Sequence, residues 1–233
     1  MALDSFDFIP HGEVKISYEW ATEKTESEDG SVKWLRKRIH AKKTYTITIG
    51  GRKNDYERLV SFYNSHKGQL LPFIFTYDGI KEVCYFASTL NMKTKFEMKK
   101  LVGFTCEISL EVDKQTGFYG VGSENDILPA GHGEIVEEYD WDTTVYTTSS
   151  TQRRLKNKKP VRKMSVTFSG RKADRDRLIK LYNTHEMRPL LYVSDGKTYK
   201  VRFPASMTVT DFREMKEIVG YKTIIDLEVL DEL

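Results

Sequence analysis

The chain has little of what disulfide scaffolds, membrane spans and most enzymes are built from. Two cysteines stand in 233 residues, Cys84 and Cys106, too few for a disulfide framework. Both lie in apolar, strand-like runs, where a free thiol packs as a small hydrophobe. They read as buried free thiols of a reducing compartment, with a local disulfide as the alternative. No apolar run approaches the ~18 residues that cross a bilayer as a helix, so no membrane partner is expected. The N-terminus, MALDSFDFIPHGE, has early acids and no apolar stretch, unlike a secretory signal. The formal net charge is only +3, too small by itself to mark a nucleic-acid binder.

Signatures of chemistry are equally thin. There is no CxxC and no HExxH, and His11, His66, His132 and His185 are far apart, whereas zinc needs three or four converging ligands. There is no GxSxG, and both cysteines look like strand-core residues rather than nucleophiles. No pair of acids is isolated in apolar sequence as a glycosidase couple would be. Gly117, Gly120 and Gly122 are not followed by a helix signal, so they read as linker rather than a phosphate cradle. The expectation is no enzyme, no cofactor and no metal.

What the chain does have is a repeat. Gly51 to His66 (GRKNDYERLVSFYNSH) recurs as Gly170 to His185 (GRKADRDRLIKLYNTH), and an internal repeat outranks every other signal. In each copy the apolar positions fall on one helix face: Tyr56, Leu59, Val60 and Tyr63, then Leu178, Ile179 and Tyr182. Asp55 and Asp174 sit near the helix starts, where the dipole favours a negative charge. They also stand i,i+3 from Arg58 and Arg177, a spacing that suits exposed ion pairs. A histidine closes each helix, placed to bond the last carbonyls.

The flanks repeat too. His11 to Trp20 matches His132 to Trp141, and the first alternates at Val14, Ile16, Tyr18 and Trp20 like a half-buried strand. Asp78-Gly79 and Asp195-Gly196 are hairpin signals. A strand alternating at Phe104, Cys106, Ile108, Leu110 and Val112 closes the first copy, matched by Val219 to Leu230. Residues 91–100 are Lys-rich and read as a loop or short helix. The order β–β–α–β–β–β predicts mostly antiparallel pairing with one helix on a face. The domains are expected at 1–113 and 126–233, joined by a Gly-containing linker at 114–125 (two units of ordinary domain size).

The strongest charge feature is basic and lies at equivalent places, on the long arm between the first two strands of each copy. The first arm carries Lys33, Arg36, Lys37, Arg38, Lys42 and Lys43. The second carries Arg153, Arg154, Lys156, Lys158 and Lys159, with Arg162 and Lys163 beyond. Such clusters suit an acidic protein neighbour, a solvated surface or phosphates. Only Trp34 interleaves them, poor support for stacking on single strands. These residues are the candidate inter-subunit contacts, and a nucleic-acid-binding role for the two arms is the alternative reading. The polar composition of 22–38 and 143–160 predicts segments that order on assembly.

The pattern as a whole resembles the minor-tail and distal-tail proteins of long-tailed bacteriophages. The resemblance rests on R-L-x-x-x-Y-N-x-H at 58–66 and 177–185, on Gly68 to Gly79 (GQLLPFIFTYDG), on 188–205 (RPLLYVSDGKTYKVRFPA), and on a last strand opening V-G-Y at 219–221. It covers nearly the whole chain. It implies an α+β, mainly β fold: two tandem tail-tube-like antiparallel β-sandwich or barrel domains, each with one flanking helix. It further implies a virion protein of the tail tip or baseplate, assembled in the host cytoplasm. The ring would be homo-oligomeric, six chains being favoured and three chains as a pseudo-hexamer second. Its neighbours would be the tail tube and tip or hub proteins, with DNA passing through the lumen.

Overall fold

A computed structural model describes residues 3–26, 32–36, 41–97, 100–113, 122–140, 143–147, 151–155, 160–185, 188–214 and 217–233. The first half runs β1 (Ser5–Phe6), β2 (Val14–Glu19), β3 (Thr22–Glu26), β4 (Val32–Arg36), β5 (Lys42–Gly51), α1 (Lys53–Ser65), β6 (Phe73–Tyr77), β7 (Ile80–Phe86), β8 (Asn91–Glu97) and β9 (Lys100–Val112). The second half follows with β10 (Val136–Asp140), β11 (Thr143–Thr147), β12 (Thr151–Leu155), β13 (Val161–Gly170), α2 (Lys172–His185), β14 (Pro189–Ser194), β15 (Lys197–Arg202), β16 (Ser206–Glu214) and β17 (Glu217–Glu232). The class is as expected, mainly β with two helices.

The two halves repeat not only the order but the register. Lys15 stands opposite Thr46 between β2 and β5, and Val136 opposite Ser165 between β10 and β13. In β8 a bulge falls after Lys95, opposite Gly103; in β16 it falls after Phe212, opposite Gly220. The Asp-Gly turns have positive φ at both residues, 53° and 77° at Asp78 and Gly79, 50° and 73° at Asp195 and Gly196. That is the type I′ geometry whose twist matches a hairpin, and it explains the recurrence of this dipeptide.

Each helix is started the same way. The Asp55 carboxylate accepts the Arg52 backbone N–H at 3.1 Å, and Asp174 accepts that of Arg171 at 3.2 Å. A Cβ on Gly51 would lie 2.6 Å from the Asp55 carboxylate, and one on Gly170 would lie 2.8 Å from that of Asp174, so the capping acid and the glycine before it recur together. The Arg58–Asp55 pair is 3.8 Å apart and exposed, a minor contribution. Both helices end as expected: His66 Nδ1 is 2.7 Å from the Phe62 carbonyl and His185 Nδ1 is 3.0 Å from that of Leu181.

Several segments differ from the expectation. Residues 91–97 are strand β8, not loop or helix, because they complete a ladder on β9. Residues 206–214, unassigned from sequence, are strand β16. The long arms carry antiparallel hairpins, β3 with β4 and β11 with β12, in matching register. Their Thr and Val content favours strand despite the charge. The strands join in one open mixed sheet of thirteen strands with two separate two-stranded hairpins. Its path is β1-β6-β7-β9-β5-β2-β16-β17-β13-β10, with β8 on β9 and β14–β15 on β17. Only β1 with β6 is parallel among these named pairs. The two halves meet where β2 pairs with β16.

One continuous apolar cluster runs under both helices. It is rich in aromatics in the first half, where Phe6 packs against Phe62, Phe73, Phe75 and Phe86. Cys84 and Cys106 are free and buried within it. Leu59 and Leu178, the anchors of the two helices, are fully buried. Truncating either to Ala removes its apolar surface and leaves a cavity, so each variant should lose about 2–5 kcal/mol in urea unfolding, and a loss under about 1 kcal/mol would contradict this packing.

Candidate assembly interface

The junction between the halves is built from four elements. Strand β2 brings Val14, Ile16 and Tyr18 to the buried face, and β16 brings Met207, Val209 and Asp211. The pairing is antiparallel over six positions, from Val14 opposite Asp211 to Glu19 opposite Ser206. On the other face the Ser17 and Thr208 hydroxyls are 3.1 Å apart. The Trp20 backbone N–H extends the contact by donating to the Ala205 carbonyl at 2.8 Å.

Helix α2 covers this seam. Tyr182 packs on Tyr18 at 6.3 Å between ring centroids, and its hydroxyl donates to the Ala205 carbonyl at 2.8 Å. One turn from the helix start, Arg175 Nε lies 2.8 Å from Asp211, which is fully buried. The two form an ion pair whose angle is not that of an aligned hydrogen bond. The Asp211 carboxylate also accepts the Tyr77 hydroxyl of the first half at 2.6 Å. Asp78, in the turn after Tyr77, reaches Lys172 at the start of α2 at 2.8 Å. Burial pushes the Asp211 carboxyl up, with Arg175 and Tyr77 pulling the other way. Tyr77 is raised by burial and by Asp211.

The same elements in the other half are uncovered. Strand β8, the counterpart of β16, is exposed at six of its seven residues. Strand β10, the counterpart of β2, is exposed throughout. Tyr139 is 56% exposed where Tyr18 is 4%. Helix α1 buries Leu59 alone, whereas α2 buries Arg175, Leu178, Ile179, Tyr182, Asn183 and His185. For Arg175 and Tyr182 the difference is the first half, which lies against α2, whereas His185 is covered by Ser123 and its counterpart His66, just past α1, is buried as well.

Of the basic residues singled out from sequence, Lys42 and Lys43 already have partners within the chain. Lys42 pairs with Glu111 at 2.7 Å. Lys43 lies inside, with its Nζ 2.9 Å from both oxygens of Glu82, whose second oxygen also accepts the Tyr45 hydroxyl at 2.5 Å. Burial lowers the Lys43 ammonium, against the pull of Glu82. Lys33 and Arg36 are on β4, Arg153 and Arg154 on β12. Lys37, Arg38, Lys156, Lys158 and Lys159 lie outside the described residues. Arg162, the position in the second half matching Lys43, pairs with Glu137 at 2.8 Å and Glu232 at 3.2 Å.

The histidines do not converge. His11 Nε2 is 3.1 Å from the Gly50 carbonyl, and His185 Nε2 is 2.9 Å from that of Ser123. Among the described residues no group of three or more His, Cys, Asp or Glu is placed to hold a metal, and no helix is long and apolar enough to cross a membrane. An open cleft of about 710 Å³ lies beside the junction, where Asp78 and Lys172 are already bonded to each other. The junction itself was not read from sequence. The alternation of Met207, Val209 and Asp211 between Thr208 and Thr210 was the available signal, disguised by an acid at a buried position.

No family model matches the chain, and no curated protein matches it.

Because the folded carboxyl of Asp211 is raised, its contribution is fully present below the ordinary carboxylate range and is lost as pH rises through the folded value. The stability gap between the native chain and Asp211→Asn should therefore shrink from about pH 4 to pH 7. Urea melts at the two pH values measure it, and a gap that widens would contradict the assignment.

Proposed function

We propose that this chain is a structural component of a phage-type tail tip. In this reading 1–113 and 126–233 are two tandem tube-like domains, 114–125 joins them, and the chain is one segment of a ring that continues the tail tube. The observation that carries it is the internal junction. Two copies of one unit already stand side by side in a continuous sheet, joined by unlike edges, and the matching edges are left open. Contacts between unlike surfaces generate rings when the rotation closes. The resemblance of 58–79 and 177–205 to distal-tail and minor-tail proteins supplies the biological setting.

The side-by-side arrangement supports three chains over six. If the two halves are lateral neighbours, a ring of six units takes three chains, each contributing two. Six chains would be needed if the halves were stacked along an axis. The partners are other copies of the chain, then tube and tip or hub proteins above and below. The location is the virion tail.

Mass photometry of the purified protein, with negative-stain images of the same sample, tests this. The expected result is a particle of three chains with six lobes around a lumen. A protein that stays monomeric at high concentration and forms no ring in a native particle would contradict it. Salt-dependent retention on a DNA column by a monomer would favour the nucleic-acid alternative.

A further inference from the structure

We infer that strand β10 of one copy adds to strand β8 of the next, in the register that β2 and β16 use within the chain. This deepens the ring reading by naming its surface, and it rests on that reading only for closure. The pairing itself stands on the repeat. Strand β10 matches β2 residue for residue against its sheet neighbour, and β8 matches β16 against its own, down to the position of the bulge. Transferring the observed pairing of Lys15 with Thr210 and Ser17 with Thr208 places Val136 opposite Lys93 and Glu138 opposite Asn91.

Three independent features fit this occupant. The first is charge. The β8 edge presents Lys93 and Lys95, and the β10 edge presents Glu138 and Asp140, all exposed. In the transferred register Glu138 is the diagonal neighbour of Lys93 on one face, within reach of an ion pair. Each edge repels a copy of itself and attracts the other, so the contact is between unlike edges.

The second is the helix. Tyr63 of α1 packs on Phe86 at 5.0 Å, as Tyr182 packs on Phe203 at 5.3 Å. Tyr182 is buried because Tyr18 covers it, while Tyr63 is only half-buried. The incoming β10 would bring Tyr139, the counterpart of Tyr18, onto Tyr63.

The third is the turn. Asp78 of the first half holds Lys172 at the start of α2. Its counterpart Asp195 is exposed in an identical turn, and the counterpart of Lys172 is Lys53, exposed at the start of α1. The same docking would place Asp195 of one copy against Lys53 of the next.

Two single variants, Glu138→Cys and Asn91→Cys, test the pairing on the full chain. The native Cys84 and Cys106 are buried, and burial pushes the Cys84 thiol up to about 12, so they do not compete. The Ser17 and Thr208 hydroxyls at the matching positions are 3.1 Å apart, so the new thiols fall within disulfide reach. On oxidation, a mixture of the two variants should form a covalent dimer and neither variant alone should. Glu138→Cys mixed with Lys95→Cys, out of register by four residues and beyond disulfide reach, should give at least about tenfold less. All three substituted positions are exposed, and matching thermal melts confirm that the variants fold. Dimers from Asn91→Cys alone, or equal yield from both mixtures, would overturn the inference. A ring seen by imaging without the cross-link would overturn the pairing and leave the ring reading standing. In the double variant Glu138→Cys/Asn91→Cys, which can link to a neighbour at both edges, a cross-linked ladder that never closes would support the pairing and defeat the ring.

Discussion

The structure depends on the pairing of β2 with β16. An unpaired strand edge presents a row of backbone donors and acceptors open to another strand, and in each half the strand before the long arm and the strand before the last one would present such edges. Within the chain one edge of each half satisfies the other. That single contact turns two sheets into one, and it sets where α2 lies, since the helix rests on side chains from both sides of the seam. A slip of one residue would turn every side chain on the strand to the opposite face. It would also turn Asp211 away from Arg175 and Tyr77, leaving the Arg175 guanidinium in the interior without that carboxylate, which is strongly unfavourable. The buried charge therefore fixes the register more than it adds stability.

The halves differ where their neighbours differ. What recurs is the scaffold: the type I′ turn, the capping aspartate with its glycine, and the histidine that bonds the carbonyl four residues back. What does not recur is the interface. Arg175 and Asp211 correspond to Tyr56 and Thr94, so this ion pair has no counterpart at the matching positions of the first half. The open edges carry exposed charges of opposite sign instead. In the ring reading proposed above, this division follows from different tasks. The internal seam forms once, during folding, and can be buried outright. The open edges face water in the single chain, where charged side chains on an edge discourage indiscriminate pairing.

Much of this fold could be read in the chain. The repeat, the two helices, the Asp-Gly hairpins and the long closing strands follow from periodicity and turn chemistry that act locally. The seam could not be read. Strand β8 is obscured because only Met92 and Phe96, with Thr94 between them, alternate with Asn91, Lys93, Lys95 and Glu97, so charge dominates a strand that is exposed at six of its seven residues. Strand β16 is obscured because its third inward residue is Asp211, whose burial depends on Arg175 and Tyr77, residues distant in sequence. The basic arms stood out for composition, yet Lys42 and Lys43 are engaged by Glu111 and Glu82. Net charge along a segment does not reveal which ammonium groups already have partners. The repeat was visible at once, but which edges it joined was a tertiary fact.

The central claim is that the seam made inside the chain is made again between chains. The most direct measurement is a cryo-EM map of the assembled particle at a resolution that separates strands. The account predicts threefold symmetry with six similar lobes, and strand density as continuous from β8 to the β10 of the next copy as it is from β2 to β16. A map in which β8 and β10 stay unpaired, or in which like edges meet across a twofold axis, would contradict it.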